Sequence, residues 1–272
     1  MFATETSAAG VSRTTIDGQQ LRYVYERVQR ICRASRECND AAHPTHEAEW
    51  NDKVHSPVLE LALELKGELH STHPIIYHNI TSVRIDQRFR DKELFPGGDR
   101  VDYGIFLGPH SDSDLGQRIA SHQYNQRNTG KSDPQLHALY AYEPDRPLVI
   151  SIETKRKRGS DAQAPSQLAN WARAHFRAVA EALGTSNDDD DREGMYDMVH
   201  PLIELDGTTW HIHFAVREGK HMAVYSSIRL GSTETLTDCY ALLGSLEYLA
   251  CWAKDVCWDW WLSRFIALDV HK

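Results

Sequence analysis

The stretch "PLVISIETKRKRG", residues 147–159, decides how this chain is read. Its apolar run, Pro147 to Ile150, predicts a buried third strand over Pro147 to Lys155, yet that strand ends on a carboxylate and an amine. Side chains alternate across a strand, so Glu153 and Lys155 point to one face while Ile152 and Thr154 point to the other. A carboxylate and an ammonium sharing one face at a strand's carboxyl end suit a hydrolytic site. The carboxylate and the adjacent backbone carbonyl can hold a divalent metal, and the lysine can orient or help deprotonate an attacking water. The plain alternative is a rim salt bridge, worth ~0.2–1 kcal/mol if exposed.

Such a site needs a second acid. Asp102 is the best candidate, because it lies in "RVDYGIFL" (Arg100 to Leu107), an apolar run where a bare aspartate is costly without a cation or strong hydrogen bonds. Pairing with Arg84 or Arg88 of the adjacent strand is the other way to satisfy it.

Outward from these strands, helical spacing of Leu21, Val24, Val28 and Ile31 predicts a first amphipathic helix over Asp17 to Cys38. A second runs from about Thr45 to Leu69 with Pro57 as a kink or restart. Pro74 to Ile85 and Arg100 to Leu107 read as neighbouring strands joined by a turn at "FPGGD", Phe95 to Asp99. The polar segment Gly108 to Asp145 reads as a long connection. After the third strand come a helix over about Ala162 to Leu183 and three strands, Met198 to Leu205, Thr209 to Val216 and Met222 to Arg229. Asp206-Gly207 and Gly219-Lys220 supply their hairpin turns. A last helix is expected over Thr233 to about Leu268, and the run "TSNDDDDRE", Thr185 to Glu193, reads as a solvated loop rather than a calcium site.

This order, with Asp102, Glu153 and Lys155 in it, resembles the PD-(D/E)XK nuclease superfamily. More specific are "EAEWNDKVHSPVLELAL" (Glu47 to Leu63), "RVDYGIFL" and "SIETKRKRGSDAQAPSQLANW" (Ser151 to Trp171), which look like a fungal group of nuclease-like proteins over about residues 45 to 270. The resemblance implies an α/β fold, a restriction-endonuclease-like αβββαβ core with a central mixed sheet, an N-terminal helix and a long C-terminal helix. It also implies a Mg2+ or Mn2+ site held by Asp102 and Glu153, catalysis with Lys155, a further acid from the first core helix matched to Glu60 (Glu49 the alternative), and a glutamine matched to Gln167. One departure is plain: no proline precedes Asp102, the local sequence being Arg100-Val101-Asp102.

Composition bounds the rest. With 272 residues, 41% hydrophobic and 25% charged, the chain fits one domain over residues 17–272 behind a loose tail of residues 1–16. No secretory signal or membrane span is visible. Five cysteines without zinc-like pairing read as free thiols in a reducing compartment, cytoplasm or nucleus. The net charge of −9 argues against nonspecific grip on nucleic acid except locally, at "KRKR" (Lys155 to Arg158) with Arg156, and at Arg84 and Arg88 as forks for an anionic group. The expected partner is nucleic acid or an anionic small molecule, and the expected activity a magnesium-dependent phosphodiester hydrolase. The alternatives are a nuclease fold turned to a small molecule in fungal secondary metabolism, or a non-catalytic binding protein. His211 and His213 in "TWHIHF" share a face, but no third zinc ligand has fitting spacing; Trp252, Trp258, Trp260 and Trp261 read as core packing before an aromatic platform.

Overall fold

The computed structural model describes residues 18–40, 42, 45–64, 74–90, 99–128, 146–155, 163–182, 198–218 and 221–266. The expected N-terminal tail, Arg156 and most of "KRKR", the aspartate run, the Gly219-Lys220 turn and most of the "FPGGD" turn lie outside these residues.

Helix α1 (Gly18–Cys38) buries Val24, Val28, Ile31 and Cys32, while Leu21, expected on the same stripe, is 54% exposed near the start of the helix. The next helical stretch contains α2 (Glu47–Trp50), a π turn (Asn51–His55) and α3 (Ser56–Glu64). Pro57 accounts for the wide turn. It has no N–H for the carbonyl of Lys53, and the Ser56 N–H reaches back five residues to the Asn51 carbonyl. The Tyr103 hydroxyl donates to that same carbonyl at 3.0 Å, tying the turn to the sheet.

Six strands form one mixed sheet in the order β1 (Ile75–Asn79), β2 (Tyr103–Leu107), β3 (Leu148–Lys155), β4 (His200–Asp206), β5 (Thr209–Glu218) and β6 (His221–Ser232). Only β3 and β4 pair in parallel. β1 is shorter than its apolar pattern suggests because the Asn79 side chain accepts from Thr81 N–H and Oγ1–H, at 3.2 and 2.8 Å, and turns the chain out of the ladder. The Asp206-Gly207 hairpin forms as expected, with Gly207 at φ 59°. The segment expected as an unstructured connection holds a helix, α4 (Asp114–Asn128). Its apolar contribution is small, chiefly buried Ile119 and partly buried Leu115, so periodicity is faint. Its start is nonetheless written in Ser113, whose Oγ accepts from the Gly116 N–H at 3.1 Å.

Helix α5 (Gln163–Ala182) connects β3 to β4 and covers one face of the sheet, where Leu168, Trp171, Ala172 and Phe176 meet Phe106, Leu148, Leu202 and Ala215. On the other face α1, α3 and α6 (Leu236–Trp252) pack on Tyr103, Ile150, Ile152, Ile203 and Trp210. The expected last helix is interrupted by π turns at Ala253–Cys257 and Leu262–Ile266 around α7 (Trp258–Trp261). Trp258 and Trp261 are buried and Trp252 and Trp260 pack against the core, so the tryptophan cluster belongs to the scaffold. All five cysteines are free thiols, and no described helix is long and apolar enough to cross a membrane.

Three of the described histidines, His55, His175 and His200, are buried. His175 of α5 stacks on His200 with ring centroids 4.4 Å apart, and His55 stacks on Trp50 at 5.7 Å. Burial pushes both His55 and His175 down to about 4. A folded-state pKa below the unfolded value means that the unfolded chain takes up protons first as pH falls. The stability is therefore full above pH 6.5 and is lost toward pH 4, by on the order of a few kcal/mol per histidine. Urea denaturation at pH 7 and pH 4.5 is expected to show this loss, and His175→Leu to reduce the difference between the two pH values.

Candidate active site

The register places the candidate side chains in rows on the α5 face of the sheet. Ile152 faces Tyr103 across the β2–β3 ladder, which puts Asp102, just before β2, beside Glu153. Glu153 is level with Glu204 of β4, and Glu204 with His211 of β5. One row further out, Lys155 is level with Asp206 and Thr209.

Asp102 is not paired with Arg84 or Arg88. Its Oδ2 accepts from both the Thr154 N–H and the Thr154 hydroxyl, each at 2.7 Å, while the Asp102 N–H donates to the Ile152 carbonyl at 3.0 Å. Among the described residues none hydrogen-bonds its Oδ1. Thr154 presents its N–H toward β2, and by strand alternation its carbonyl lies along the same edge. Glu153 is 2% exposed and forms an ion pair with Lys155 through Oε1.

Electrostatics mark the pair as strained. Burial raises the Asp102 carboxyl, against the pull of the Thr154 hydrogen bonds and the Lys155 charge. Burial also lifts Glu153, to about 8, and repulsion from Asp102 adds to it despite the Lys155 ion pair. At Lys155 burial works the other way, but the Glu153 hydrogen bond and the charges of Glu153, Glu47 and Asp102 outweigh it and hold the amine above its ordinary value.

The structure distributes the other expected residues differently. Glu60 meets Arg27 of α1 at 2.6 Å and Glu49 meets Lys53 at 2.5 Å, so both are engaged in surface ion pairs. The helical acid whose charge reaches Glu153 and Lys155 is Glu47, the first residue of α2, which the sequence reading passed over. Gln167 is half-buried at the start of the second turn of α5, the helix packed over β3. Arg88 is committed to Asp86 through Nε and Nη2, at 3.1 and 2.9 Å, and lies over the Phe89 ring; Arg84 is 4.0 Å from Asp99. His213 Nε2 lies 3.0 Å from Glu204 Oε2, and both side chains are partly exposed on the site's face. An acid within the apolar strand "LIELD" was the sequence signal for Glu204.

A profile of the PD-(D/E)XK nuclease superfamily matches residues 2–258. The chain belongs to that superfamily. Neither the curated proteins nor the solved structures offer a match. PD-(D/E)XK nucleases typically use divalent metals, and the donors here fit a hard cation in kind: two buried carboxylates that repel each other, with a backbone carbonyl beside them. Among the described residues no three His, Cys, Asp or Glu side chains converge as a metal-binding group. A PD-(D/E)XK ion held by Asp102 and Glu153 would be completed by water, as magnesium commonly is.

Glu153 gives a stability signature for the protein held in chelator. Its folded-state pKa lies above its unfolded one, so the unfolded chain releases its proton first and stability falls as pH rises from 4.5 to about 8. Glu153→Gln is expected to raise the thermal midpoint in EDTA, with a gain that grows over that window and levels off above it; differential scanning calorimetry from pH 5 to 9 checks it.

Proposed function

We propose that the protein is a divalent-metal-dependent hydrolase that cleaves a phosphodiester by attack of water. What supports this most is the juxtaposition of buried Asp102 and Glu153, mutually repelling and served by one ammonium, Lys155. Asp102 and Glu153, with the Thr154 carbonyl, would hold Mg2+ or Mn2+. Bound there, the ion would polarise the phosphoryl oxygens and acidify water. Thr154 fixes the Asp102 carboxylate through two hydrogen bonds, leaving its other oxygen for the ligand. Lys155, anchored on Glu153, places a positive charge where negative charge grows on the phosphoryl group. Glu47 contributes its field from the first position of α2. Gln167, in α5, is the further catalytic candidate, and Arg156 is assigned to substrate binding.

A small anionic substrate is a second reading, with one observation in its favour. Net charge is −9, and Arg84 and Arg88 already face Asp99, Asp86 and Glu181, so neither offers a free basic track for a polyanion. Such a substrate would place the protein in small-molecule metabolism on a nuclease fold.

The test pairs binding with turnover. Mg2+ or Mn2+ is expected to raise the thermal midpoint of the wild type and to support hydrolysis of bis(p-nitrophenyl) phosphate. Asp102→Asn and Glu153→Gln should abolish the metal-induced shift and lower kcat/KM by at least about 100-fold. Cleavage of single- and double-stranded DNA at low salt separates the nucleic-acid reading from the small-anion one. A wild type that gains no stability from either ion and turns over no phosphodiester refutes the proposal.

A further inference from the structure

We infer that Glu204, held by His213, is the proton acceptor for the attacking water. The inference rests on the hydrolase reading above and adds a residue outside the Asp102, Glu153, Lys155 set.

Hydrolysis needs a group to receive the water's proton, and the neighbours of the phosphoryl site are already engaged. Asp102 Oδ2 takes two hydrogen bonds from Thr154, and the Lys155 ammonium is paired with Glu153. Glu204 stands next in line. It is the direct neighbour of Glu153 across the β3–β4 ladder, and because the two strands are parallel and in register, both side chains rise from the same face. Adjacent strands lie about 4.8 Å apart, so one water can touch both carboxylates at ordinary hydrogen-bond lengths of about 2.7 Å.

Glu204 is also built for the task. The His213 ring nitrogen 3.0 Å from Oε2 fixes the carboxylate, since an ionised carboxylate only accepts and the imidazole must donate. His213 lies on β5 level with Leu202, one alternate position before Glu204, so it reaches the acid diagonally from the same face. The Glu204 and His213 side chains are 20% and 15% exposed, leaving solvent a route to carry the proton away. His213 is thus a positioning residue, acting through Glu204.

The step balances without a co-reactant. As the water oxygen bonds to phosphorus, the water's proton passes to Glu204. The bond from phosphorus to the leaving oxygen breaks with its electron pair on that oxygen, which takes a proton from solvent. Glu204 then returns its proton to solvent, and nothing is oxidised or reduced.

The experiment uses bis(p-nitrophenyl) phosphate with Mn2+ and compares wild type, Glu204→Ala, Glu204→Gln, His213→Ala and His213→Gln. Both Glu204 variants are expected to lose at least about 100-fold in kcat with KM little changed, while keeping the wild-type metal-induced thermal shift. Added formate should restore Glu204→Ala but not Glu204→Gln, whose amide fills the space. His213→Ala should lose about tenfold, and His213→Gln, which can still donate to Glu204, should recover most of it. An active wild type whose well-folded Glu204→Gln stays within threefold, or a Glu204→Ala that formate leaves unchanged, overturns the inference alone. A wild type that hydrolyses nothing overturns the hydrolase reading and this inference with it.

Discussion

Two carboxylates buried on adjacent strands, Asp102 and Glu153, are the constraint to which the rest of the structure answers. Each costs free energy to desolvate, and the charge of Asp102 makes Glu153 costlier still. Thr154 offsets part of the cost at Asp102 with two donors, and Lys155 offsets part of it at Glu153. Thr154 lies between Glu153 and Lys155, so three consecutive residues carry an acid, the clamp on its partner acid and the counter-charge. Displacing β3 by a single residue against β2 would exchange the two faces and break all three relations at once.

The scaffold keeps that register from slipping. Ile150 and Ile152 on one face of β3 enter the core formed with α1, α3 and α6, while Phe106, Leu148 and Leu202 are capped by α5 on the other. Tyr103 follows Asp102 directly and points the opposite way. Its hydroxyl reaches the Asn51 carbonyl and Ser56, which pins β2 to the π turn just as the chain leaves the aspartate. The helix that carries Glu47 is thereby fixed to the strand end that carries Asp102. The same π turn exists because Pro57 cannot donate, so one proline sets a contact that orients the site.

Much of this was legible because strand alternation is local. Glu153 and Lys155 on one face, Asp102 as their partner and α5 after the third strand all follow from short stretches whose pattern no other contact overrides. What the pattern does not show is which partner each charged side chain takes in the folded chain. Glu60 and Glu47 both lie on the helical stretch after α1 and both are acids; what tells them apart in the fold is Arg27 of α1, which pairs with Glu60. Arg88 looked free for an anion until Asp86, two residues away, folded back on it in a tight turn. Helix α4 escaped notice because its buried face is little more than Leu115 and Ile119, too narrow to leave a period in the sequence. Glu204 was visible as an acid in an apolar strand, but its meaning depends on a parallel register that sequence does not print.

That parallel register has a consequence in time as well as space. Asp102 and Thr154 are 52 residues apart in the chain, and β4 can align on β3 only after the α5 crossover is in place. Local pieces such as the β4–β5 hairpin close over short loops, whereas these two junctions must each bring together distant segments before any contact rewards them. The polar centre can therefore form only when those two junctions close. A partly folded molecule would keep Asp102 apart from Glu153, and both hydrated, until the sheet closed.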